Sequence, residues 1–156
     1  MRKKSLLRLI PIFAGVGVLI FFYIRYRVPP QLDLTSIPLE TLSGKPAEIR
    51  LNKDERLCIK FFATWCIDCR RELPDLIGDA AALKKEKIRL VLVSDEAPEQ
   101  LQFFIERDSI PFEMLHLKSS FKSAGIYTLP TTYWYNESGA LIKRNTGKSN
   151  IIEGFK

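Results

Sequence analysis

Polar and apolar positions divide this chain into one long uncharged run and a series of short ones. From Leu9 to Ile24 no residue is charged (LIPIFAGVGVLIFFYI), with Arg8 before the run and Arg25 and Arg27 after it. Beyond it, residues 28–37 set Pro29 and Pro30 among polar side chains and read as a stiff linker. Pro38–Leu51 places short apolar pairs on either side of Ser43-Gly44, as a hairpin does. Leu57–Ala63 (LCIKFFA) and Ile88–Ser94 (IRLVLVS) are mostly apolar runs of strand length, the pattern of central strands covered on both faces. Between them a helix is expected from near Cys66 to about Lys85, kinked at Pro74. Pro98–Arg107 has helical periodicity with proline in its first turn. Phe112–Leu115 reads as a short strand and Ser119–Ala124 as a short helix stopped by Gly125. Thr131–Asn136 and Ala140–Asn145 form a last hairpin around Glu137-Ser138-Gly139. Strands alternating with helices predict an α/β fold with a mixed central sheet. The 156 residues suffice for one such domain, placed at 38–156, behind an anchor at 1–27 and a linker at 28–37.

Charge sharpens the reading of the first segment. The chain has 24 basic and 18 acidic residues, a net charge of +6. Arg2, Lys3, Lys4, Arg8, Arg25 and Arg27 lie in residues 1–27, which hold no acid, so the remainder is neutral overall. The basic excess therefore belongs to the apolar segment and not to a nucleic-acid surface. As a helix, Leu9–Ile24 spans about 24 Å, slightly less than a hydrocarbon core of about 30 Å. Tyr23 and Tyr26 suit an interfacial belt, and the flanking arginines can snorkel outward. The following RYRVPPQLD offers no small-x-small cleavage site, so an uncleaved anchor is expected in preference to a signal peptide. Four basic residues precede the run and two follow it, which keeps the N-terminus cytoplasmic. The domain is then expected on the extracytoplasmic (periplasmic) face of a bacterial inner membrane, where disulfides persist.

Three cysteines are present, Cys58, Cys66 and Cys69. Cys66 and Cys69 form a C-x-x-C that follows a predicted strand and opens a predicted helix. A thiolate attacks disulfides and a thiol does not, and unpaired N–H groups at a helix start stabilise negative sulfur. Cys66 is the expected nucleophile, and Cys69, a turn further in, the thiol that resolves the mixed disulfide. Two other readings remain: half of a metal site, for which Cys58 and His116 are the remaining soft ligands, and a structural disulfide.

The segment FFATWCIDCRRELP resembles the active-site segment of the thioredoxin superfamily, and more narrowly its membrane-anchored TlpA/ResA-like thiol–disulfide oxidoreductase branch. A second match is Gly125-Ile126-x-x-Leu129-Pro130-Thr131-Thr132, followed by Asn136-x-x-Gly139 and Gly147. The resemblance covers about residues 36–147. It implies a thioredoxin-like fold, a redox-active Cys66–Cys69 pair, no cofactor and no metal, and a cis Pro130 facing the cysteines. It further implies disulfide-containing protein substrates, a membrane electron donor of the thiol-reducing type, and a place in cytochrome c maturation. Leu129 and Trp65 are then substrate-docking residues, an extended substrate pairing beside Leu129 by strand addition. Simple packing is the competing reading for Trp65.

Glu72 follows Cys69 by three residues on the same helix face, either as its proton shuttle or as a solvated side chain. Lys60 stands where thioredoxins place a buried Asp; a lysine there either pairs with Glu72 or takes over part of the proton transfer. Asp68, inside the C-x-x-C, disfavours a thiolate beside it and so favours a reductase over an oxidase. Cys58 is expected to be an inert core thiol. A thioredoxin-fold copper chaperone is the alternative function, although such proteins space their cysteines one residue further apart. A peroxiredoxin is disfavoured because its Pro- and Thr-preceded single cysteine is absent. The tail after Gly147 is shorter than the family's closing helix, so one sheet face is expected to be less well covered.

Overall fold

The computed structural model describes residues 14–21, 32 and 37–156. The chain falls into two units, Met1–Gln31 and Leu32–Lys156. In the first, residues 14–21 are helical and exposed. Among the described residues no helix is long and apolar enough to cross a membrane. The rest of the expected anchor (1–27) and most of the expected linker (28–37) lie outside the described residues.

The second unit is built on a mixed sheet. Its strands are β1 (Leu39–Thr41), β2 (Pro46–Ala47), β3 (Arg56–Phe61), β4 (Ile88–Ser94), β5 (Glu113–Leu117), β6 (Thr131–Tyr135) and β7 (Leu141–Thr146). They lie in the order β2-β1-β5-β4-β3-β6-β7. β3 runs parallel to β4 and β4 parallel to β5, whereas β6 is antiparallel to β3 and to β7, and β1 to β5. The two nearly continuous apolar runs are thus the innermost strands, and every residue of β3 after Arg56 is buried. The helices are α1 (Ile67–Gly78), α2 (Ala80–Lys85) and α3 (Pro98–Asp108). Pro98 opens α3, where its missing N–H costs nothing.

Register sorts the side chains by face. Cys58 and Lys60 of β3 lie opposite Trp134 and Thr132 of β6 and share their face. α1 covers that face through Glu72, which reaches Lys60. Ile59 and Phe61 share the other face with Tyr133. There the Phe61 ring meets Tyr133 and Phe121 edge-on, at centroid distances of 5.9 and 6.3 Å.

Three stretches differ from the sequence expectation. The helix expected from Cys66 to Lys85 is divided between α1 and α2, and the division falls at Asp79. Pro74 is carried inside α1 on its exposed side; the break comes where two poor helix formers, Gly78 and Asp79, are adjacent. Ser119–Ala124 contains no helix and is a bend followed by turns. Its polar groups are claimed locally: Asp95 accepts the Phe121 N–H (2.9 Å) and the Ser120 hydroxyl accepts the Ser123 N–H (3.2 Å). The short tail also covers more than its length suggests. Ile151 is fully buried and its carbonyl accepts the Trp134 indole N–H at 2.9 Å. A single 3-10 turn, Glu153–Phe155, then brings Gly154 against the Trp134 ring, where an added Cβ would overlap the indole.

Candidate active site

The chain leaves β3 at Phe61, stays buried through Ala63, and turns outward at Thr64-Trp65 before α1 begins. Cys66 is the N-cap of α1. Its sulfur accepts the Cys69 N–H at 3.2 Å, in the position where a serine or aspartate oxygen more often caps a helix. Cys66 and Cys69 are disulfide-bonded, their Cα atoms 5.2 Å apart. Cys66 retains 7% exposure and Cys69 only 1%, so an incoming reagent meets Cys66 first. In the reduced pair, the same amide and the positive end of α1 would favour a thiolate at Cys66.

A groove of about 450 Å³ opens at Cys66, walled by Trp65, Phe121, Ile126, Tyr127 and Leu129. Trp65 and Tyr127 form an aromatic rim, 65% and 74% exposed. The Leu129–Pro130 peptide is cis, and the Pro130 carbonyl accepts the Gly147 N–H at 2.7 Å. A concavity of similar size, about 480 Å³, lies elsewhere among Lys84, Ile88, Arg89 and Phe112, and no cysteine or histidine lines it.

Behind the disulfide sits a buried ion pair. Lys60 Nζ is 2.8 Å from Glu72 Oε2, with side-chain exposures of 0% and 1%. The ammonium also donates to Thr132 Oγ1 (3.1 Å) and Ser149 Oγ (3.4 Å). Glu72 Oε1 accepts the Ser149 N–H at 2.9 Å. Glu72 Oε2 has the Lys60 charge for company and makes no hydrogen bond of good geometry. Of the two readings open for Glu72 in the sequence, the solvated side chain is ruled out, and Lys60 has the carboxylate partner that its position demands.

The sequence profile of the AhpC/TSA family matches residues 30–143. The chain belongs to the AhpC/TSA family. Within this AhpC/TSA framework it is 30% identical over 122 residues to the thiol–disulfide oxidoreductase ResA of Halalkalibacterium halodurans, covering 75% of this chain and 69% of that protein. It is 28% identical over 115 residues to sporulation thiol–disulfide oxidoreductase A of Bacillus subtilis, covering 70% and 69%. The crystal structure of StoA from Bacillus subtilis superposes with a TM-score of 0.60 at 25% identity, over 76% of this chain and 95% of that one. A thioredoxin-like protein of Porphyromonas gingivalis, at 21% identity and a TM-score of 0.65, shares the fold. This AhpC/TSA protein is thus a thiol–disulfide oxidoreductase of thioredoxin-like fold.

The AhpC/TSA scaffold brings Trp65, Cys66 and Leu129 to one groove and places Lys60 and Glu72 beneath it. The remaining chemistry-bearing positions do not line the groove. Asp68 is exposed and faces Arg71 at 3.6 Å, which offsets part of its effect on Cys66. Cys58 is fully buried, and burial pushes its thiol far above the ordinary range against a smaller pull from Lys60. His116, the histidine weighed as a metal ligand, is hydrogen-bonded through Nδ1 to Glu40 of β1 at 2.8 Å. Two acidic residues escaped the sequence reading. Glu96 accepts the Thr64 N–H (2.6 Å) and the Thr64 hydroxyl (2.5 Å), fixing the loop before Cys66. Its neighbour Asp95 holds Phe121 on the opposite wall of the groove. The available signal was their position: two acids directly after a buried strand, at the carboxyl end where α/β sheets build their sites.

Proposed function

We propose that this protein is held in a bacterial cytoplasmic membrane by its N-terminal apolar segment and reduces disulfides of proteins on the extracytoplasmic side. The observation that carries the proposal is Cys66 at the start of α1, at the mouth of an apolar groove, with Cys69 buried one turn behind it. An extended substrate lies along Leu129 and Pro130 under the Trp65 rim, and its disulfide meets Cys66. The Cys66 thiolate attacks one substrate sulfur, and the other leaves as a thiolate. Cys69 passes its proton to Glu72 and attacks Cys66, which releases the second substrate sulfur and closes the Cys66–Cys69 disulfide. The substrate gains two electrons and, from Glu72 and water, two protons. Lys60 balances the charge of Glu72 before it takes the proton and again once it has passed the proton on. A membrane donor of the thiol-reducing type restores the dithiol, and no cofactor is required.

The reductive direction is supported by two carboxylates near the pair, Asp68 and Glu72, each disfavouring an extra thiolate. Both are partly compensated, by Arg71 and Lys60. The expected potential is therefore near that of thioredoxin, about −270 mV, and far from the about −120 mV of strong periplasmic oxidants. Similarity to ResA makes apocytochrome c the first substrate to try.

The decisive experiment is trapping. Cys69→Ala in cells should leave a mixed disulfide on Cys66 that carries the natural partner, and the adduct should fractionate with membranes. A potential near that of the oxidants refutes the reductive direction. Absence of any adduct, in a protein whose Cys66 alkylates no faster than free cysteine, refutes the site itself.

A further inference from the structure

We propose that Ser149, in the tail beyond β7, is a positioning residue for exchange at Cys69: it binds Glu72 and Lys60 together and holds the carboxylate where it takes the Cys69 proton. The inference rests on the proton-transfer role given above to Glu72. Ser149 engages both members of the buried pair by different groups. Its N–H donates to Glu72 Oε1 at 2.9 Å, and its hydroxyl oxygen lies 3.4 Å from Lys60 Nζ and 3.2 Å from Thr132 Oγ1. Lys60 thereby meets three oxygens: it donates to those of Thr132 and Ser149 and pairs by charge with Oε2 of Glu72. One carboxylate oxygen of Glu72 faces the Ser149 amide and the other faces Lys60.

The surroundings leave little else to do this work. From β3 the pair is faced by Cys58, whose thiol burial keeps protonated. From α1 it is faced by Cys69, and at its outer edge by Asp75, which Lys148 neutralises at 2.7 Å. Lys148 also adds a favourable field at Glu72. The tail carries Lys148 and Ser149 in succession, so one short segment supplies a surface clamp to α1 and an inner contact to the pair.

The test compares wild type with Ser149→Ala, Ser149→Thr and Ser149→Val in the full chain. All four keep the amide that serves Glu72, and Thr and Val differ in the hydroxyl alone. The rate of reduction of a disulfide-bonded peptide by the reduced protein is followed across pH. Removing the hydroxyl takes one of its two hydrogen-bond acceptors from the ammonium and loosens its placement against Glu72. The pH–rate profile should change shape in Ser149→Ala and Ser149→Val, with its maximum about tenfold lower, and stay in place in Ser149→Thr. Superimposable profiles for Thr and Val overturn the proposal, even if Ser149→Ala is poorly folded. A wild-type protein that reduces the peptide no faster than Cys66→Ala points instead to failure of the underlying redox reading.

Discussion

Lys60 carries an ammonium into a strand whose two faces are both covered, and Glu72 meets it there. Burying either charge alone costs several kcal/mol, so the pair is strong only as a pair. Lys60→Met should lower unfolding stability in urea by about 3–5 kcal/mol, and adding Glu72→Leu should restore most of it. The same burial acts on Cys58, whose thiol is held far above its ordinary value. After reduction, alkylation of the folded protein near pH 8 should modify Cys66 first and spare Cys58 until denaturant is added. At this scale the sequence was informative wherever a residue broke its own local pattern. A lysine inside LCIKFFA needs a partner, and the only helix acid one turn beyond Cys69 is Glu72. Ser149 breaks no pattern. A serine in a polar tail carries no mark, and its role exists because the tail folds back over β6.

Between elements, side chains tie neighbouring strands and loops at points that periodicity cannot reveal. β1 is joined to β5 by backbone pairing and by Glu40, which His116 holds at 2.8 Å with Lys118 at 3.6 Å. The His116 hydrogen bond, more than the Lys118 charge, draws the Glu40 carboxyl below its ordinary value near 4.5. A carboxyl lowered on folding stabilises the fold fully above its ordinary value, and that contribution is lost as pH falls through the lowered one. Glu40→Gln should therefore lower the thermal midpoint at neutral pH, and the two proteins should converge in acid. The strands and α3 were readable because β-branched runs and a proline at a helix start are local signals. The break at Asp79 and the turns of Ser119–Ala124 were not, since competing side-chain contacts such as Asp95 to Phe121 decide them.

For the molecule as a whole, the segment after β7 closes over β6 through a few close contacts. Ile151 is buried, its carbonyl binds Trp134, Gly154 lies on the indole, and Arg56 stacks 4.8 Å from the Phe155 ring. Gly154→Ala should cost about 1–3 kcal/mol, read from urea midpoints, because Trp134 is fully enclosed and the tail must yield. The sequence did not tell that absent side-chain volume at Gly154 is what lets this segment close. The placement of the two tryptophans has a practical outcome. Trp65 stands in solvent beside the disulfide, and Trp134 is sealed under the tail. Intrinsic emission of the protein therefore has two independent channels: a red-shifted one that brightens when dithiothreitol removes the quenching sulfur bridge, and a blue one that shifts only when the C-terminus peels away. Each is isolated by replacing the other indole with phenylalanine, giving electron transfer and tail opening separate fluorescent signals without an added dye.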